Sequence, residues 1–109
     1  MNGNRIPKPR EKLGKAGNRF WRRIHKQFVF EEEQDLERLL QASKCLDSIA
    51  EGEKTVSKQG HFVQDRFGQL REHPGLKVIR DFRTLFLRAC RELNLDLERV
   101  EDPRVPRQY

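Results

Sequence analysis

The spacing of apolar residues changes character along the chain, and the clearest stretch is LKVIRDFRTLFLRACREL, which predicts a helix from about Pro74 to Leu93. Wound at 100° per residue, it gathers Val78, Ile79, Phe82, Leu85, Phe86, Ala89, Cys90 and Leu93 in one sector. Lys77, Arg80, Asp81, Thr84, Arg88 and Arg91 fall opposite, as expected of a core helix with a basic outer face. Proline suits the first helical position, where its missing N–H has no partner to lose. Asn94 supplies a stop, and Asp96 could restart a shorter helix. Leu76 and Leu87 share an azimuth near the polar side. They are either singly exposed leucines, which are common, or a second stripe covered by a partner subunit.

Two more helical patterns precede this one. From Lys15 to Phe28, the residues Phe20, Trp21, Ile24 and Phe28 share a sector, and from Glu31 to Glu51 so do Leu36, Leu39, Leu40, Ser43, Leu46 and Ala50. Gly52 is expected to end the second helix, after which the period falls towards 2. His61 to Gln64 and Gln69 to Glu72 read as a hairpin around Asp65-Arg66-Phe67-Gly68, with Thr55 to Ser57 as a possible edge. Two strands alone are marginal in water, so this hairpin must lean on a helix or on a neighbouring molecule. Residues 95–100 read as a short helical turn, and Pro103 and Pro106 leave an extended tail that either frays or docks.

The expected fold is therefore mainly α with a small β-hairpin, an α+β arrangement of an N-terminal helix and two long antiparallel helices with the hairpin between helices two and three. Residues 1–14 read as a flexible basic arm, 15–100 as one domain with its hairpin near 55–72, and 101–109 as the tail. A length of 109 residues leaves room for one modest core, and 37% charged residues make a heavily charged surface. Self-association is a natural source of extra burial.

Charge adds a partition that periodicity does not show. The net charge of +6 hides nine basic residues against Glu11 alone in residues 1–28, and eight acids against three basic residues in 29–54. Such a partition suits either a polyanionic partner or head-to-tail self-association. Lys15, Arg19, Arg22, Arg23 and Lys26 form a compact stripe on the first helix, continuing Arg5, Lys8, Arg10 and Lys12 of the arm. The stripe is either a solvated face or a surface that neutralises phosphates without reading sequence. Trp21 suits a core anchor better than a base-stacking platform, because it shares a sector with Phe20, Ile24 and Phe28. Glu31, Glu32 and Glu33 favour a helix N-terminus and are candidates for contact with a neighbour's basic stripe.

No catalytic constellation is legible. Gly14-Lys15 lacks the upstream glycine and following hydroxyl of a phosphate loop, and neither HExxH nor GxSxG occurs. His73 reads as a helix-start residue rather than a base, and His25 and His61 have no partnered nucleophile. Cys45 and Cys90 lack paired spacing, so free packed thiols are expected rather than a zinc site with His61 or His73. No helix-turn-helix pattern stands out, so any DNA contact would run through phosphates and many copies. A non-enzyme without cofactor or metal is the expectation, soluble and unexported, since no apolar run is long enough for a bilayer.

The order of features carries a resemblance. A basic proline-containing arm, FWRRI on the first helix, EEEQDLERLL on the second, a DRFG turn and then REHPGLKVIRDFRTLFLRACRELNLD together resemble the compact phage terminase small subunits. That group is marked by a histidine-proline before the third helix and a closing R-E-L-x-L. The likeness covers residues 18 to 100 by pattern and is most specific between Asp65 and Asp96. It implies a helical, hairpin-bearing, non-catalytic packaging factor in the cytoplasm of the bacterial host. Such a factor forms a homo-oligomeric ring, engages double-stranded viral DNA and hands it to the large terminase subunit, which holds the ATPase and nuclease. The chain is shorter than some relatives of that group, and the family motif carries no catalytic residue onto it. Two other classes fit the charge pattern: a small adaptor that binds a protein without DNA, and an RNA-binding accessory factor.

Overall fold

In the computed structural model the described residues are 6–95. They form α1 (Lys15–Gln27), α2 (Glu33–Gln59), β1 (Phe62–Gln64), β2 (Leu70–Glu72) and α3 (Pro74–Glu92). The chain is mainly helical, with one antiparallel two-stranded hairpin between α2 and α3, as the periodicity predicts. Arg5 and residues 96–109, including the expected turn and tail, lie outside the described residues.

α2 and α3 pack antiparallel. Arg38 near the start of α2 meets Glu92 at the end of α3 at 3.3 Å, and Gly52 faces Ile79 nearer the hairpin. α1 lies across this pair, with Phe20 edge-on to Phe86 at 5.1 Å. The core is built from Phe20, Trp21 and Ile24 of α1, Leu39, Leu40 and Ile49 of α2, and Ile79, Phe86 and Cys90 of α3.

α2 does not stop at Gly52, and Thr55 to Ser57 is helix rather than an edge strand. A helical glycine costs roughly 1 kcal/mol relative to alanine. Here it also permits close approach, since a Cβ at Gly52 would sit 3.0 Å from Cγ1 of Ile79. Val56 is buried one turn further on, so tertiary packing carries the helix through the glycine. The helix ends instead at Gly60, whose φ of +85° is a conformation that side chains disfavour.

At its other end α3 closes in a Schellman motif. Asn94 adopts φ 58°, its N–H reaches the carbonyl of Arg91, and the N–H of Leu95 reaches that of Cys90. Leu95 is buried beside it, supplying the apolar contact that accompanies such a cap.

The apolar arc of α3 proves wider than its neighbours cover. Ile79, Phe86, Cys90 and Leu93 are buried, whereas Val78 and Leu85, expected in the core, are exposed. The expected outer pair separates as well: Leu76 packs half-buried against the core, and only Leu87 is exposed. On α2, Ala50 is exposed and Ile49 takes the buried position.

Candidate nucleic-acid interface

The segment before α1 is tied to the helices. Trp21 donates its indole N–H to the carbonyl of Pro7 at 2.8 Å, and Leu13 is buried. Arg10 holds the Glu37 carboxylate through both Nε (2.7 Å) and a terminal nitrogen (3.0 Å), and Lys44 reaches Glu11 at 3.1 Å. The hydrogen bond from Arg10 keeps the Glu37 carboxyl below its ordinary range, and Glu37 in turn raises Arg10. Two of the arm's charges are thus spent on α2.

α1 starts at Gly14 with neither a capping side chain nor an acid in its first turn. Its cap comes from α2 instead. The Asp47 carboxylate accepts the N–H of Gly14 at 2.8 Å and that of Gly17 at 2.7 Å. A helix N-terminus is a ready anion site, and here that site is already filled by the protein's own carboxylate. Any phosphate contact must therefore come from side chains.

Those side chains lie in line. Lys15, Arg19, Arg22 and Lys26 are spaced by four, three and four residues, so they share one face, and all four are exposed. Among the described residues no salt bridge engages them. They span about 16 Å of helix axis. Over that length duplex DNA carries roughly ten negative charges. Of the other basic residues expected here, Lys8 and Lys12 are exposed on the preceding segment, and Arg10 is bound to Glu37. Arg23 is half-buried on the flank of the face and engaged in contacts of its own.

Behind this face Trp21 is 3% exposed, so its ring anchors the core and offers no surface to a base. His25 lies against Trp21 at 4.7 Å and Phe30 at 5.8 Å, and its Nε2 is buried without a partner. Desolvation holds this imidazole below its ordinary pKa and keeps it neutral. It adds no charge to the stripe at neutral pH.

The acids expected to meet a neighbour, Glu31, Glu32 and Glu33, are all exposed at the entry to α2. Glu32 is the N-cap residue and accepts from Gln34 at 2.8 Å. At the far end of the molecule the hairpin turn is pinned by Asp65. Its Oδ1 accepts the N–H groups of Phe67 (2.8 Å) and Gln69 (3.0 Å), and its Oδ2 accepts from Arg71 at 3.0 Å. These bonds, led by Arg71, hold the Asp65 carboxyl below its ordinary range. Gly68 completes the turn at φ +78°, and Arg66 stacks over Phe67 at 5.0 Å.

His73 ties the hairpin to both long helices. Its Nδ1 accepts the N–H of Gly75 at 2.8 Å, which leaves Nε2 as the donor to Gln59 at the end of α2. The imidazole is therefore a buried helix cap, as its place before Pro74 implies. Cys45 and Cys90 are free and buried, and burial pushes the Cys90 thiol up to about 12. Among the described residues no group of three His, Cys, Asp or Glu is placed to hold a metal, and no helix is long and apolar enough to cross a membrane. No protein-family model, no curated protein and no solved structure matches this chain.

Proposed function

We propose that this protein is the non-catalytic small subunit of a phage DNA-packaging terminase. In this reading it forms a homo-oligomeric ring in the host cytoplasm, binds double-stranded viral DNA, and passes it to the large ATPase and nuclease subunit. The observation that carries the DNA-binding part is the line of four exposed cations on α1, Lys15, Arg19, Arg22 and Lys26, which no salt bridge engages among the described residues. The packaging role itself rests on the ordered resemblance from FWRRI to RACRELNLD.

The binding chemistry is electrostatic. Each cation that displaces a condensed counterion contributes affinity without reading a base, so one subunit binds weakly and indifferently to sequence. A ring supplies the remainder through effective concentration, because later contacts are intramolecular. Lys8 and Lys12 are further exposed cations on the preceding segment, whereas Arg10 serves to fasten the arm to Glu37.

Deleting the gene from the phage or prophage that carries it tests this role. The expected result is capsids without DNA, restored by the wild-type gene and not by an R19A/R22A/K26A version. DNA-filled capsids after deletion would overturn the packaging role.

A further inference from the structure

Five of the seven exposed large hydrophobic side chains among the described residues lie in two separate patches, one on the hairpin and one on α3. On the hairpin, Phe62 pairs with Glu72 and Gln64 with Leu70, so Phe62 and Leu70 share one face, 65% and 71% exposed. Phe67, 73% exposed, lies in the turn that joins the two strands. On α3, Val78, half-buried Phe82 and Leu85 recur at spacings of four and three, forming a line beside the buried sector. Neither patch covers the other within one chain, since Val78 and Leu85 remain 44% and 45% exposed.

We infer that these two patches are the two halves of one contact: the hairpin face of one copy lies on the Val78–Phe82–Leu85 line of the next. Phe62 and Leu70 share their face of the hairpin with Gln64 and Glu72, and an exposed Phe–Leu pair on a two-stranded hairpin gains by packing against a helix or another sheet. The halves match in length. Three strand residues extend about 10 Å. The seven helical steps from Val78 to Leu85 also rise about 10 Å along the helix. Phe62 and Leu70 complement the Val78–Phe82–Leu85 line by apolar contact, and the Glu72 carboxylate on the same hairpin face disfavours a nucleic acid there.

The size of the contact also selects a second copy. The side chains involved expose on the order of 500 Å², well below the 1,200 Å² or more of a stable two-body interface. A contact this small is weak alone, forming a pair only at high protein concentration, and gains strength when it is repeated around a closed ring, where every copy buries both of its patches. Pairing of hairpin with hairpin would leave the α3 line uncovered on every copy. Because its two sides differ, the contact is either reciprocated across a two-fold axis or repeated head to tail, and head-to-tail repetition is the form that closes a ring. It rests on the ring reading above for closure and supplies that ring's adhesive surface.

Mixing two broken surfaces tests the inference by light scattering on a sizing column. F62E/L70E and V78E/L85E should each run as monomers with wild-type helicity. Mixed together at high protein concentration they should give a heterodimer and nothing larger, since each retains the half that the other lacks. A mixture that stays monomeric, or single-patch variants that keep the wild-type ring mass, would overturn this contact while leaving the ring intact. A wild-type monomer at about 100 µM would remove the ring itself.

Bismaleimide cross-linking decides the matter if either variant fails to fold. L70C/L85C chains should give a ladder, while L70C alone and L85C alone should give no dimer. The native thiols Cys45 and Cys90 are buried and stay out of the reaction. A dimer from L70C alone would mean that hairpin meets hairpin, which contradicts the inference.

Discussion

Asp47 caps α1 from another helix: its carboxylate accepts the N–H of Gly17, thirty residues earlier in the chain, at 2.7 Å and that of Gly14 at 2.8 Å. The two glycines are what let the carboxylate in. A Cβ at Gly17 would meet Asp47 Oδ2 at 2.5 Å and the Ser43 carbonyl at 2.7 Å. The same bond seats α1 on α2 and so orients the Lys15–Lys26 face.

Asp47→Ala leaves two helix N–H groups without their partner and should cost about 2 kcal/mol in chemical denaturation. Gly17→Ala should cost at least as much, because the backbone carbonyl of Ser43 cannot step aside as a side chain can. Asp47→Asn keeps an acceptor and should fall between wild type and alanine. An alanine variant of wild-type stability would mean that α1 is seated by its apolar face alone.

His25 gives stability a pH dependence near neutrality. Burial lowers its folded pKa below the ordinary imidazole range, so the unfolded chain binds the proton first as pH falls. The contribution is complete above the unfolded value and is lost as pH drops through the folded one. Glu37, Asp65 and Glu72 are also held low, but they act in the carboxylate range and on an exposed surface. Wild type should therefore lose stability as pH falls below the ordinary imidazole value of about 6.5, and His25→Phe should flatten that limb while leaving the more acidic one. An equal slope in both proteins would assign the effect elsewhere.

His73→Ala removes the acceptor for the Gly75 N–H and the partner of Gln59, and should cost about 1 to 2 kcal/mol. His73→Asn can still cap Gly75 and should recover part of the loss. Hydrogen exchange should rise at the hairpin and first turn of α3 and stay unchanged in α1. Uniform acceleration would mean that the imidazole supports the whole core rather than this joint.

Cys90 is 1% exposed and its thiol is pushed up to about 12, so almost none of it is thiolate at pH 8. A thiol reagent should leave Cys90 unmodified in native buffer and label it in guanidinium. Fast native labelling would show that the α2–α3 seam opens readily.

The helical elements, the hairpin and the His-Pro start of α3 were legible because each has a local cause: apolar period, turn residues, a proline at the first helical position. The continuation of α2 beyond Gly52 was not, because the reason it persists is Ile79, a residue distant in sequence. Helix periodicity also could not say which part of a wide apolar arc has a neighbour. Val78 and Leu85 share an arc with Ile79 and Phe86, and only the placement of α1 and α2 separates exposed from buried.

The basic stripe was legible as a stripe, since four of its members recur at helical spacing. That Arg10 is consumed by Glu37 was not, because the pair is 27 residues apart. Asp47 likewise read as one more acid in an acidic segment. Its role depends on Gly14 and Gly17, and nothing in their place along the chain points to a partner on α2.

The most direct measurement is the salt dependence of binding to a fluorescent duplex, wild type against K15A/R19A/R22A/K26A, read by anisotropy. If the α1 face is the contact, the slope of log affinity against log salt should flatten by about 3 to 4 for each fully engaged subunit, equally for unrelated sequences. Wild-type affinity and slope in the quadruple variant would contradict the assignment of DNA binding to this face.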